Sequence, residues 1–279
     1  TYKPIENVNL KYVDDIPEDF NFLSVGLWGK GEFGEDRKDI GTLIKVFYEA
    51  FANKKKQPGL ILKTNSATFS ILDREECLTK IKAIKKMFPS EWKLPNVYLL
   101  HGSLSLDEMN KLYNHPKIKS LVSFTHGEGF GRPLLEASMV GLPVVTTGWS
   151  GQLDFLDAQN SFLVSGELKQ VPPSQVWENI IIPESKWFYI NQSHAYQALN
   201  DVYINYDKYK EKSLNLMKTN RNKFTLDKMK IKLNEIVDKL ADDIPTKVEL
   251  QLPKLSNKEK PKIKLPELKK TKEIHQEVV

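Results

Sequence analysis

Ser123-Phe-Thr-His-Gly-Glu-Gly-Phe-Gly-Arg-Pro-Leu-Leu-Glu136 carries the reading of this chain. The apolar run Ser120-Leu-Val-Ser-Phe124 stops at glycines 127, 129 and 131. Pro133 then opens a segment with Leu134, Leu135, Ala137 and Met139, and Gly141 closes it. Proline at the start of such a pattern and glycine just past its end mark a helix, so the stretch predicts strand, glycine-rich turn, helix. Three missing Cβ atoms let a partner approach the main chain, and the free N–H groups of the following helix favour an anionic or strongly polar one. Seven residues separate Glu128, in the turn, from Glu136, about one turn into the helix. A carboxylate accepts two hydrogen bonds at once, which suits vicinal hydroxyls.

Working outward, Asn21-Phe-Leu-Ser-Val-Gly26 reads as a buried strand, and Ile40, Leu43, Ile44, Phe47 and Phe51 recur at helical spacing after it. Arg37 and Lys38 therefore stand at a helix entrance, behind a loop from Leu27 to Asp36 that carries Gly29, Gly31 and Gly34. Gly59-Leu-Ile-Leu-Lys-Thr64 and Asn96-Val-Tyr-Leu-Leu100 read as further strands, with a basic amphipathic helix from Asp73 to Met87 between them. Ser105-Leu-Asp-Glu108 has capping-box spacing before Met109, Leu112 and Tyr113. Strands near 22, 60, 97, 121 and 143 alternating with helices predict an α/β fold: a Rossmann-like doubly wound parallel sheet, followed by C-terminal helices. Such sheets bind ligands at the carboxyl ends of their strands. His101-Gly-Ser103, Thr125 to Gly131 and Thr146 to Gly151 all fall at that edge.

Glu128-x7-Glu136, with Gly129-Phe130-Gly131 and Pro133 inside it and Gly141-Leu-Pro-Val-Val145 after it, resembles the donor-site signature of glycosyltransferase family 4, retaining enzymes of the GT-B fold. The resemblance covers about residues 20 to 240. It implies that this is the C-terminal, donor-binding domain of a glycosyltransferase, moving a sugar from a nucleoside-diphosphate sugar to an acceptor that is a glycan, lipid or protein. Carried over residue by residue, Lys38 with Arg37 would neutralise the donor diphosphate, Glu136 would anchor the ribose, and Glu128 would be the catalytic carboxylate, holding a sugar hydroxyl near the developing cation. Gly127, Gly129, Phe130, Gly131 and Gly151 would line the diphosphate and sugar, and the His101–Ser103 loop the nucleobase. His126 either touches the transferred sugar or is a polar loop residue, and Arg132 either adds charge to the site or faces solvent. An arginine that often follows the first strand's glycine is replaced here by Leu27 and Trp28, which leaves Arg37 or Lys30 to take its place. The resemblance further implies retention of configuration, assisted by the departing phosphate, with no cofactor and no metal. No Asp-x-Asp stands near a strand end, where the other major glycosyltransferase fold holds a divalent ion.

Two alternatives use the same site: a nucleotide-sugar-binding module without turnover, and a GT-B-type sugar-nucleotide epimerase. The resemblance supplies one of two GT-B halves, so residues 1–20, with Pro4, Pro17 and Asp14-Asp15, are read as an interdomain segment, and a missing or separate N-terminal acceptor domain is expected.

Composition bounds these readings. With 279 residues, 40% hydrophobic and 28% charged, the chain can bury a substantial core. One cysteine, Cys77, excludes a disulfide framework and fits a cytoplasmic, reducing compartment. No apolar run reaches membrane-spanning length, leaving at most peripheral membrane contact. From Pro245 to Val279 nine lysines and five glutamates hold +4 of the chain's net +5. This Lys/Pro-rich segment, 241–279, lacks aromatic residues and is expected to be a disordered, solubilising tail rather than a specific nucleic-acid or lipid binder. Between sheet and tail, Trp187, Tyr189, Tyr196, Leu199, Tyr203 and Tyr206 sit near helical spacing. They are read as helix core rather than as carbohydrate-stacking groups.

Overall fold

The computed structural model describes residues 2–241. The tail from 242 onward therefore lies outside the described residues. After a short helix α1 (Lys11–Asp14), the chain runs β1 (Asn21–Val25), α2 (Ile40–Phe51), β2 (Gly59–Lys63), α3 (Ile71–Lys85), β3 (Val97–Leu100), α4 (Leu106–Asn114), β4 (Ile118–Ser123), α5 (Arg132–Met139), β5 (Val144–Thr147) and β6 (Phe162–Val164). These six strands form one parallel sheet in the order β3-β2-β1-β4-β5-β6. The order reverses between β1 and β4, so the connections leaving their carboxyl ends diverge and open a crevice there.

Strand side chains alternate between two helical layers, as the two-residue period requires. Phe22, Leu60, Leu62, Val122 and Val145 pack with α2, α3 and the later helix α6 (Gln192–Ile204). Leu23, Ile61, Leu121 and Val144 pack with Leu112 and Tyr113 of α4 and Leu134 and Ala137 of α5. Each fully buried Leu, Ile or Phe of this kind contributes about 1.5–3 kcal/mol. Leu10, Val13 and Ile16, within the segment read as interdomain, are buried in the second layer.

Local chemistry fixes the helix starts. Ser70 caps α3, and Ser105 with Glu108 forms the expected capping box on α4. Gly131 caps α5 at φ 85°, a left-handed conformation, with Arg132 first in the helix and Pro133 second. Gly141, at φ 71°, follows the helix end.

The aromatic run after residue 183 departs from the sequence reading. Trp187 and Tyr189 lie not in a helix but in β8 (Lys186–Ile190), which pairs antiparallel with β7 (Gly166–Gln170). The helix begins at Gln192, after an Asn191 cap. It is followed by α7 (Tyr206–Lys223) and α8 (Leu226–Ala241), and a separate compact unit begins at Lys230. No helix among the described residues is long and apolar enough to cross a membrane.

Candidate functional site

At the crevice, the loop after β1 and the turn after β4 are tied together. Arg37 donates from Nη1 to the Gly127 carbonyl (2.7 Å), and its own carbonyl accepts from the His126 N–H (2.8 Å). These bonds bring the two expected cations to the expected carboxylate: Lys38 Nζ pairs with Glu128 Oε1, and Arg37 Nη1 lies 3.5 Å from Glu128 Oε2. Gly26 makes room for this, because a Cβ there would crowd the Lys38 stem at 3.1 Å. Burial pulls the Lys38 pKa down, and the Glu128 charge offsets part of that.

The Glu128 turn is braced from β5. Ser150 Oγ donates to the Glu128 carbonyl (2.6 Å) and accepts from the Glu128 N–H (3.1 Å), while the Gly151 N–H donates to the same carbonyl (3.0 Å). A Cβ on Gly151 would fall on the Gly129 carbonyl, so the close approach of the two loops needs glycine there. Ser150 accepts a strained φ of 81° to reach its position. Ahead of α5, the N–H groups of Gly129, Phe130 and Gly131 donate to no main-chain or side-chain acceptor among the described residues. The Phe130 ring packs towards Phe155 and Phe224, so this residue offers the crevice its main chain rather than its ring.

Glu136 sits in a second cluster on the first turns of α5. Arg132 Nε donates to its Oε1 (2.5 Å) and the Tyr113 hydroxyl to its Oε2 (3.2 Å). Burial raises the Glu136 pKa, with the Arg132 and Tyr113 bonds opposing. Arg132 is thereby assigned to Glu136.

His126 requires a correction. Its side chain is wholly buried, with Nδ1 2.8 Å from the Phe188 carbonyl and Nε2 3.2 Å from the Gly34 carbonyl. The ring stacks on Trp187 and meets Tyr189. With both nitrogens committed, the imidazole pins β8 and the β1–α2 loop to the Glu128 turn and does not reach a sugar.

Several contributors carry no sequence motif. Ser150 and Tyr113 act only through contacts across the fold. Asp39 caps α2 from a left-handed conformation at φ 48° and lies 3.9 Å from His126. Asp36, buried beside it, accepts from the Lys38 N–H (3.1 Å), and burial together with the Asp39 charge pushes its pKa up to about 6. At the far end of the sheet edge, His101 Nε2 lies 2.7 Å from Asp73. Burial alone would raise the Asp73 pKa, but the His101 bond and the N–H groups of Ala67, Ser66 and Thr68 hold it down at about 2.

No protein-family profile matches this sequence, and neither does any curated protein. Solved structures do match. The C-terminal domain of LpcC, a glycosyl transferase group 1 family protein from Francisella tularensis, superposes with a TM-score of 0.54 at 16% identity, over 81% of this chain and 96% of that one. The chain has the fold of a GT-B C-terminal domain. Sucrose-phosphate synthase of Thermosynechococcus elongatus matches this GT-B domain with a TM-score of 0.57 at 15% identity, over 87% of this chain and 50% of that one. HepE of Anabaena, solved in complex with UDP and glucose, matches with a TM-score of 0.51 at 15% identity, over 79% and 49%. At such identities the likeness is one of fold, and the GT-B domain spans about half the length of the latter two proteins.

Proposed function

We propose that this chain is the donor-binding part of a glycosyltransferase, a hexosyltransferase-type enzyme that takes its sugar from a nucleoside diphosphate. The observation that carries the reading is the convergence of Lys38, Arg37 and Glu128 at the β1–β4 crevice, in front of the unpaired N–H groups of Gly129 to Gly131. Breaking the bond from the anomeric carbon to the diphosphate develops positive charge on the sugar and negative charge on the leaving group. Two cations, free N–H groups and a helix N-terminus stabilise the departing diphosphate electrostatically. Glu128 shares its cations with that diphosphate and turns a carboxylate oxygen to a sugar hydroxyl.

Glu136 anchors the ribose in this reading. Arg132 and Tyr113 take one bond on each of its oxygens and the Tyr2 hydroxyl lies beside them, while a carboxylate with about four lone-pair sites still has capacity for a ribose hydroxyl. Front-face attack assisted by the departing phosphate, with retention of configuration and no metal, completes the proposal. The acceptor enters from an acceptor-binding domain, as in a two-domain GT-B enzyme. The single cysteine, buried Cys77, goes with a cytoplasmic setting.

Calorimetric titration with UDP, GDP, ADP and their sugars tests the reading, beside a Glu136→Ala, Lys38→Ala double variant. Binding to the parent chain that disappears in the folded double variant is expected. Binding that survives both substitutions would remove the site from this crevice.

A further inference from the structure

The amino ends of β2 and β3, at the edge of the sheet opposite the crevice, carry a charge pattern that the donor site does not use. The turn after α2 reads Asn53-Lys-Lys-Lys-Gln57, and α3 runs out through Lys82, Lys85 and Lys86 into Met87-Phe-Pro-Ser-Glu-Trp-Lys93. Hydrogen bonds join the two segments: the Asn53 N–H donates to the Lys93 carbonyl (2.9 Å), and the Lys93 N–H donates to Asn53 Oδ1 (2.8 Å). Tyr48 of α2 meets Phe88, and Phe88 meets Trp92, with ring centroids 5.4 and 5.9 Å apart.

Residues 53–57 and 82–93 hold seven lysines and one glutamate, a net of +6. The chain as a whole is +5, of which 245–279 hold +4, so residues 1–244 outside these two segments are net −5. The positive charge of residues 1–244 is thus gathered at one place. Lys54 is committed to Asn200 and to the Phe51 ring. The other six lysines are exposed, and none is in an ion pair among the described residues. Lys82 and Lys85 complement the carbonyl end of α3, but a helix end accounts for neither the remaining lysines nor the apolar groups beside them. Met87 is 55% and Trp92 38% exposed. A cavity of about 520 Å³ adjoins them, walled by Lys82, Lys85, Phe88, Pro89, Trp92 and Leu94.

A tryptophan and a flexible apolar chain set among lysines match the headgroup level of a bilayer, where the ring sits at the interface and ammonium groups meet lipid phosphates. Arginine, which grips the phosphates of nucleic acid bidentately, is absent from both segments. We propose that this face docks on an anionic lipid bilayer. Trp92 and Met87 enter the interface, and Lys55, Lys56, Lys82, Lys85, Lys86 and Lys93 lie over the headgroups. Docking by this edge turns the crevice at the opposite edge away from the lipid, and the net negative charge of the rest of residues 1–244 favours that orientation.

Co-sedimentation of the full chain with vesicles tests this, using phosphatidylcholine alone and phosphatidylcholine with about one-third phosphatidylserine. Binding is expected to the anionic vesicles only, and it should fall steeply as salt rises. A Lys82→Gln, Lys85→Gln, Lys86→Gln variant should bind about 100-fold more weakly, and Trp92→Ala about 5-fold or more. A Lys269→Gln, Lys270→Gln, Lys272→Gln control removes the same charge from the lysine-rich segment 245–279 and should lose far less. A loss in the control as large as in the first variant overturns the proposal, because charge and not place would then decide. The substituted lysines are exposed, so their replacement leaves the fold intact and keeps the proposal testable even if Trp92→Ala fails to fold. Full binding by folded Trp92→Ala overturns the entry of the ring into the interface. Equal binding to neutral vesicles, or binding to neither kind, overturns the docking. A parent chain that ignores anionic vesicles and binds a single-stranded oligonucleotide through the same lysines assigns the face to nucleic acid instead. None of these measurements uses a nucleotide sugar, so the donor-site reading stands or falls separately.

Discussion

Lys38 and Glu128 form an ion pair across the point where the sheet reverses its strand order, their side chains 13% and 10% exposed. One stands at the entrance to α2 and the other in the turn before α5, so the pair joins the two loops that shape the crevice. Removing one partner leaves a poorly solvated charge: Glu128 would keep only the looser contact with Arg37, and Lys38 would face the like charge of Arg37 with Asp36 as its remaining acidic neighbour.

Lys38→Met is therefore expected to destabilise the fold by about 1–3 kcal/mol. Glu128→Gln should cost less, because the amide keeps an acceptor oxygen. Urea denaturation of the two single variants and the double variant closes a thermodynamic cycle, with a coupling of about 1–2 kcal/mol expected. Additive effects would mean that the two side chains do not stabilise each other.

How legible this was depends on how local each signal is. Strands β1 to β5 announce themselves as short apolar runs such as Leu60-Ile-Leu62, and Ser105 and Glu108 cap α4 by spacing alone. Lys38, Arg37 and Glu128 were singled out by the resemblance, while the sequence pattern alone placed them only at a helix entrance and a glycine-rich turn along one sheet edge. The β7–β8 hairpin was not legible. Gly166-Glu-Leu-Lys-Gln170 is exposed throughout and has no strand-like apolar alternation, while the Trp187-Phe-Tyr189 run is buried against His126 and Trp149 by contacts distant in sequence. The aromatic spacing therefore resembled a helix face. His126 looked like a free polar group in a glycine turn because the Phe188 and Gly34 carbonyls that claim it come from other elements.

Ser150 separates strain from bonding. Its φ of 81° and ψ of −164° suit glycine, yet its hydroxyl makes both bonds to the Glu128 main chain. Ser150→Ala keeps the strain and loses the bonds, whereas Ser150→Gly loses the bonds and relieves the strain. Glycine should be the more stable variant by about 1–2 kcal/mol in thermal or urea unfolding. Equal stabilities would show that the backbone relaxes when the hydroxyl is gone.

His126 holds the hairpin to the site. His126→Ala removes the ring nitrogens that face the Phe188 and Gly34 carbonyls and opens space beneath Trp187 and Tyr189. A loss of more than about 2 kcal/mol is expected, with increased amide exchange across β8 and the loop carrying Gly34. Normal stability with weakened donor binding would return the imidazole to the ligand site.

Asp36 gives the fold a pH dependence of defined sign. Its carboxyl, ordinarily near 3.8, is raised to about 6 by burial and by the Asp39 charge, so the folded state holds the proton more tightly than the unfolded chain does. The associated stability is fully present below about pH 4 and is lost as the pH rises through about 6, a change of about 3 kcal/mol. Asp39 and Glu136, also raised by burial, act in the same direction. Asp73, held at about 2, acts oppositely and only as the pH falls below about 4. Asp36→Asn preserves an oxygen for the Lys38 N–H and removes the titration, so it should flatten the decline in stability between pH 4 and 6 and stabilise the protein at neutral pH. A variant whose urea midpoints follow the same pH curve as the parent chain would place that decline elsewhere in the molecule.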